Sequence, residues 1–126
     1  MELARRGYEE FNRTGVPPLH LFHPEAEFDA TRTLLDVGVI RGPDQFLALI
    51  RDYSSSFEQF RVDAEELLDA GDQIVAVVRD GGRLKGSDSE IWNHFVHIWT
   101  VRDGKVVRWA AYVDKAEALE AAGLSE

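Results

Sequence analysis

Ser89-Glu90-Ile91-Trp92-Asn93-His94-Phe95-Val96-His97-Ile98-Trp99-Thr100-Val101-Arg102, followed by Asp103-Gly104 and then Lys105-Val106-Val107-Arg108-Trp109-Ala110-Ala111-Tyr112-Val113, decides the fold. Side chains of a strand alternate between two faces, so Asn93, Phe95, His97, Trp99 and Val101 share one side, and Trp92, His94, Val96 and Ile98 share the other. Asp-Gly between two such runs is a hairpin signal, because its backbone twist matches that of paired strands. The stretch therefore predicts two long antiparallel strands, Ser89 to Arg102 and Lys105 to Val113.

Upstream, the same period of two gives strands over Gln59 to Asp69 and Gln73 to Arg79, joined by Ala70-Gly71-Asp72 and leading through Asp80-Gly81-Gly82 into residue 89. Four consecutive strands with short turns make an antiparallel meander. Before residue 59 the period is helical: Phe46, Leu49, Ile50, Tyr53 and Phe57 recur on one face after Gly42-Pro43. An earlier helix starts at residue 3, with Leu3, Tyr8 and Phe11 on its apolar side around Ala4 and Gly7, and Gly15 ends it. Pro17-Pro18 opens a short second helical turn carrying Leu19, Leu21 and Phe22. Ala26 to Ala30 reads as a short strand and Thr31 to Arg41 as a polar connection. At the far end Asp114 caps a last helix, with Glu117 three residues on and Gly123 as its stop. Helices gathered before a long meander give an α+β domain, with N-terminal helices packed on a curved antiparallel sheet.

The chain has 126 residues, which is one core's worth; 44% are hydrophobic and 29% charged. No run approaches the length needed to span a bilayer, and the amphipathic start lacks the apolar stretch of a secretory signal, so a cytoplasmic protein without a membrane partner is expected. Without cysteine there is no disulfide, thiol nucleophile or thiolate metal site. The formal charge of −9 disfavours nucleic acid as a partner. His20 and His23 are three apart with no carboxylate completing a ligand set, and His94 and His97 face opposite ways, so no metal site is expected.

Arg6-Gly7-Tyr8-Glu9-Glu10-Phe11-Asn12 and Phe22-His23-Pro24-Glu25-Ala26-Glu27-Phe28 resemble the opening of SnoaL-like and other nuclear transport factor 2-like proteins. His97-Ile98-Trp99-Thr100-Val101-Arg102-Asp103-Gly104-Lys105-Val106-Val107 and Tyr112-Val113-Asp114-Lys115-Ala116-Glu117-Ala118-Leu119 resemble that family's last hairpin and closing segment. The resemblance covers nearly the whole chain in element order and implies a cystatin-like cone roll around an apolar pocket. Members include ketosteroid isomerases, polyketide cyclases, epoxide hydrolases, dehydratases and non-catalytic domains, so it implies a site without choosing a chemistry.

Against the ketosteroid isomerase pattern, the oxyanion-stabilising tyrosine falls on Tyr8 and its aspartic acid partner on His97, a departure that still leaves a hydrogen-bond donor. The general base falls on Asp29 or, with one residue of slip, on Ala30, and the register decides which face Asp29 takes. The resemblance thus implies catalytic roles for Tyr8, Asp29 and His97 and a substrate surface from Phe11, Arg32, Phe57, Asn93, Phe95, Trp99, Trp109 and Val113, with small Ala111 leaving room. Thr31 and Asp36 share a loop with Arg32, and Asp114 is a further acid or base in a cyclase-like arrangement. An aspartate–arginine–aspartate set for epoxide hydrolysis has no convincing inward members. The expectation is a protein for a small hydrophobic, polycyclic or terpenoid-like carbonyl compound, acting without cofactor by proton transfer and oxyanion stabilisation; the alternative is a non-catalytic binding or dimerisation domain. Because Trp92, His94, Val96 and Ile98 also need cover, a homodimer through the outer sheet face is expected.

Overall fold

The computed structural model describes residues 1–33 and 38–124. In chain order the elements are α1 (Glu2–Thr14), a 3-10 turn (Leu19–Leu21), β1 (Phe22–Arg32), β2 (Val39–Arg41), α2 (Pro43–Ser54), β3 (Arg61–Ala70), β4 (Gln73–Arg83), β5 (Glu90–Arg102), β6 (Lys105–Tyr112) and α3 (Lys115–Ala121). Among the described residues they build one six-stranded sheet, β2-β1-β6-β5-β4-β3, which curves without closing.

The meander is antiparallel throughout, as expected, with its first and last turns at Gly71-Asp72 and Asp103-Gly104. The sheet as a whole is mixed, because β1 lies parallel to β6, with Phe28 opposite Trp109. Local turn chemistry cannot reveal that pairing, since the two strands are joined through most of the chain. β1 is longer than its alternating core, Ala26 to Ala30: a register shift between Phe22 and Glu27 spans Pro24, which has no N–H to give a ladder. Part of the expected polar connection is strand β2, which pairs Ile40 with Phe28 and packs Ile40 on the core.

Two further corrections follow from pairing over local propensity. α2 ends at Ser54, and Phe57 instead bridges to Leu84. Asp80-Gly81-Gly82 is not a turn; β4 runs on through it, with Asp80 opposite Asn93, Gly81 opposite Trp92 and Gly82 opposite Ile91. Both glycines have φ of 145°, and a Cβ on either would run into a carbonyl oxygen, that of Ile91 for Gly81 and that of Gln59 for Gly82. The chain reverses farther on, where the Leu84 amide bonds the Ser89 carbonyl at 3.0 Å.

The sheet buries both faces. Ile74, Ala76, Val78 and Trp99 face the helices α1 and α2 through Ala4, Tyr8 and Phe46. The alternate set, Val75, Val96, Ile98, Ala110 and Tyr112, is covered by Ala118 and Leu119 of α3. Val96 and Ile98 are each 3% exposed within one chain, so the closing helix covers these two of the four outward residues of β5, whereas His94 stays exposed. Trp92 is held under the Arg79 guanidinium, 4.2 Å from the ring centre. α3 starts as expected, with the Asp114 carboxylate accepting from the Glu117 amide at 3.1 Å.

Candidate functional site

The inner face lines an apolar cavity of about 90 Å³ between α1, α2 and the concave strands, partly open to solvent. Its wall brings together six residues expected at the site: Tyr8, Phe11, Phe95, His97, Trp99 and Trp109, with Ala111 beside them. The alternation of β5 places Phe95, His97 and Trp99 inward on a central strand, whose neighbours hold their backbone on both sides.

A buried hydrogen-bond chain fixes the chemistry of His97. Trp99 Nε1–H donates to the Tyr8 hydroxyl at 2.8 Å. That hydroxyl lies 2.8 Å from His97 Nδ1, and we assign Tyr8 as the donor to Nδ1, the arrangement that gives the phenol proton an acceptor within the protein. His97 is then the Nε2–H tautomer. Nε2 has no protein partner, yet no fully buried side-chain nitrogen is left unpaired among the described residues, so this N–H opens on the cavity that His97 lines. Burial pushes the His97 pKa down to about 3, which keeps the ring neutral. Burial raises the Tyr8 pKa despite the bond from Trp99, so the phenol stays protonated. Tyr8 therefore sits in the expected place but spends its proton on His97.

Asp29 is elsewhere. Phe28 and Ala30 are the buried residues of this part of β1, and Asp29 alternates away from them to meet Arg108 Nη2 at 2.5 Å and the Thr31 hydroxyl at 2.6 Å. Partial burial pushes its carboxyl up, but the two Thr31 hydrogen bonds and the Arg108 guanidinium outweigh it and hold the pKa below the ordinary value. Arg32 is exposed, 3.9 Å from Glu117. Val113 is 48% exposed, and Phe57 packs on Phe60 with ring centres 5.3 Å apart; neither lines the cavity. Asp36 lies outside the described residues. Asp114 serves as the α3 cap, away from the cavity lining.

Among the described residues the carboxylate that lines the cavity is Asp80, 5% exposed, which a reading of Asp-Gly-Gly as a turn hides. The Tyr53 hydroxyl donates to Asp80 Oδ1 at 3.0 Å and accepts from Asn93 Nδ2 at 3.2 Å. Asn93 thus supports the polar end of the cavity from behind its wall. Burial pushes the Asp80 carboxyl up to about 6, against the lowering effects of the Tyr53 and Asn93 hydrogen bonds and the His94 charge. Among the described residues no lysine or arginine lines the cavity, so none balances this charge from within. Period-two alternation could have found it, since Ile74, Ala76, Val78 and Asp80 form one unbroken inward series.

The cavity has two polar ends, then: a neutral N–H donor at His97 and a carboxylate at Asp80, with aromatic wall between. Among the described residues no three metal-ligating side chains gather, and no helix is long and apolar enough to cross a membrane.

The SnoaL-like domain model matches residues 4–109, most of the chain. The chain belongs to the SnoaL-like family. An NTF2-like protein of unknown function from Burkholderia pseudomallei is 23% identical, with a TM-score of 0.75 over 95% of this chain and 94% of that one. A ketosteroid isomerase-like fold from Catenulispora acidiphila, in complex with trimethylamine, is 17% identical, with a TM-score of 0.72 over 98% and 93%. A candidate SnoaL-like polyketide cyclase from a Jannaschia species is 18% identical, with a TM-score of 0.72 over 99% and 92%. At such identities the likeness is one of fold. No curated protein sequence matches this SnoaL-like domain.

Proposed function

We propose that this SnoaL-like domain moves a proton on a small hydrophobic carbonyl compound without a cofactor. The observation that carries the reading is Asp80, a buried carboxylate with no lysine or arginine beside it among the described lining residues, facing the same apolar cavity as the Nε2–H of a neutral His97. His97 donates to the carbonyl oxygen and stabilises negative charge as it develops there, worth more in a water-poor cavity than in solution. Asp80, poised near pH 6, accepts the proton from a carbon conjugated with that carbonyl. The C–H bond breaks, its proton goes to the Asp80 carboxylate, and its electron pair passes through the conjugated system to the oxygen held by His97. Return of the proton to another carbon completes an isomerisation. Tyr8 and Trp99 act behind His97 by holding its tautomer.

Cyclohex-2-enone in deuterated buffer tests this by proton NMR. The γ-protons should exchange faster with the protein, the rate should rise as pH passes through about 6, and Asp80→Asn should abolish the acceleration. Exchange that survives Asp80→Asn would remove Asp80 from the chemistry.

A second reading, binding without chemistry, is favoured by the wall itself. Aromatic faces around one carboxylate suit a small ammonium ion, and the Catenulispora neighbour holds trimethylamine. Calorimetric binding of trimethylammonium with no enone exchange would favour this reading over the first.

A further inference from the structure

An apolar wall favours the neutral acid, so an ionised Asp80 needs hydrogen-bond donors to hold it. In the sheet it stands between Val62 of β3 and Asn93 of β5. From the helix layer Tyr53, the last residue but one of α2, reaches it with its hydroxyl. Tyr8 and His97, the other titratable groups lining the cavity among the described residues, are bonded to each other. Arg79 and His94, the charged neighbours of Asp80 and Asn93 in sequence, alternate to the outer face and meet Asp63 at 3.4 Å and Glu65 at 3.9 Å.

Tyr53 has one proton to give, and Asn93 directs it. An ionised carboxylate only accepts, so the hydroxyl, 3.0 Å from Asp80 Oδ1, is the donor of that bond. The hydroxyl oxygen meets Asn93 at 3.2 Å. An amide oxygen there would face the lone pairs of a phenol whose proton is already engaged, so Asn93 is assigned with Nδ2 toward Tyr53. Burial and the Asp80 charge both raise the Tyr53 pKa, which keeps the phenol protonated. Phe60 stands edge-on to the Tyr53 ring, centres 5.6 Å apart, and Phe57 backs Phe60 at 5.3 Å.

We infer that Tyr53 and Asn93 are positioning residues of the proton transfer: Asn93 Nδ2–H holds the Tyr53 oxygen, the Tyr53 hydroxyl holds Asp80 Oδ1, and together they fix the ionised carboxylate on the cavity wall. This rests on the proposed proton transfer and gives the control of its base. A hydroxyl donor is worth more to an anion than to a neutral acid, so the pair opposes burial and extends the base to lower pH than burial alone would allow.

Carbon-13 NMR of the aspartate carboxyls across about pH 4 to 9 reads the Asp80 titration, with Asp80→Asn assigning its signal. Tyr53→Phe keeps the ring against Phe60 and removes the donor. Its Asp80 midpoint should rise from about 6 by about one to two pH units, the worth of a hydrogen bond to a charged group. Asn93→Ala should raise it by less. In each variant the pH at which cyclohex-2-enone exchange reaches half its plateau should move by the same amount. A merely structural role would lower stability and leave both midpoints where they are. An Asp80 midpoint unmoved or lowered in Tyr53→Phe overturns the inference, and one unmoved in Asn93→Ala removes Asn93 from it. A midpoint that moves while the exchange profile stays put overturns the positioning role. Failure of the underlying proton transfer looks different: the unaltered protein would show no accelerated exchange, while Asp80 would still titrate at about 6 and still shift in Tyr53→Phe.

Discussion

Replacing Asp80 by asparagine should make the protein more stable at high pH. The folded carboxyl is raised from 3.8 to about 6, so the folded state holds the proton more tightly than the unfolded state does. For an acid shifted upward, that stabilisation is complete below 3.8 and is lost as pH rises through about 6. At about 1.36 kcal/mol per unit, the ionised group costs about 3 kcal/mol at pH 8. Asparagine keeps an oxygen for the Tyr53 hydroxyl and carries no charge. The variant should therefore exceed the parent by up to about 3 kcal/mol at pH 8, and by less than about 1 kcal/mol at pH 4. In a domain of this size that is a rise in Tm of about 10 °C at pH 8. Urea unfolding followed by tryptophan fluorescence at both pH values measures the difference. A variant less stable at pH 8, or a difference that does not change with pH, would refute the burial argument.

Other expectations use the same contacts. In the Asp80→Asn background stability should fall by about 3 kcal/mol between pH 6.5 and pH 4, because the unfolded imidazole takes up a proton that buried His97 refuses; chemical denaturation across that range checks it. Tyr8→Phe strips the acceptor from Trp99 Nε1–H and the donor from His97 Nδ1, and should cost about 1–3 kcal/mol in thermal unfolding while mixing the His97 tautomers seen by NMR. Asn12→Ala removes paired bonds to the Val62 carbonyl and amide at 2.8 and 2.9 Å that tie α1 to β3, and a loss of about 1–3 kcal/mol is expected in the same assay. Asp29→Asn, off the cavity, should leave calorimetric ligand affinity unchanged.

The fold was legible because its strongest signals are local and agree with one another. Alternation in β5 and β6, Asp103-Gly104 between them, the helical spacing from Phe46 to Tyr53, and the Asp114 cap each reflect interactions within a few residues. What stayed hidden depends on distant partners. The parallel β1–β6 contact and the cover that α3 gives to Val96 and Ile98 join segments well separated in sequence, and the three-residue strand β2 is too short to show a period of its own. Asp80-Gly81-Gly82 shows the conflict most clearly, since a hairpin signal was overruled by pairing with Asn93, Trp92 and Ile91. The same overruling hid Asp80. Family likeness placed Tyr8 and His97 on the cavity but put the base on Asp29, where a one-residue change of face in β1 turns the side chain toward Arg108.

Long-range proton–nitrogen NMR of His97 in the ligand-free protein tests the central claim, a neutral imidazole offering Nε2–H to the cavity. The account predicts a single Nε2–H tautomer that does not titrate between pH 5 and 8, its pKa lying at about 3. A ring that titrates near 6.5, or one protonated at Nδ1, would contradict it.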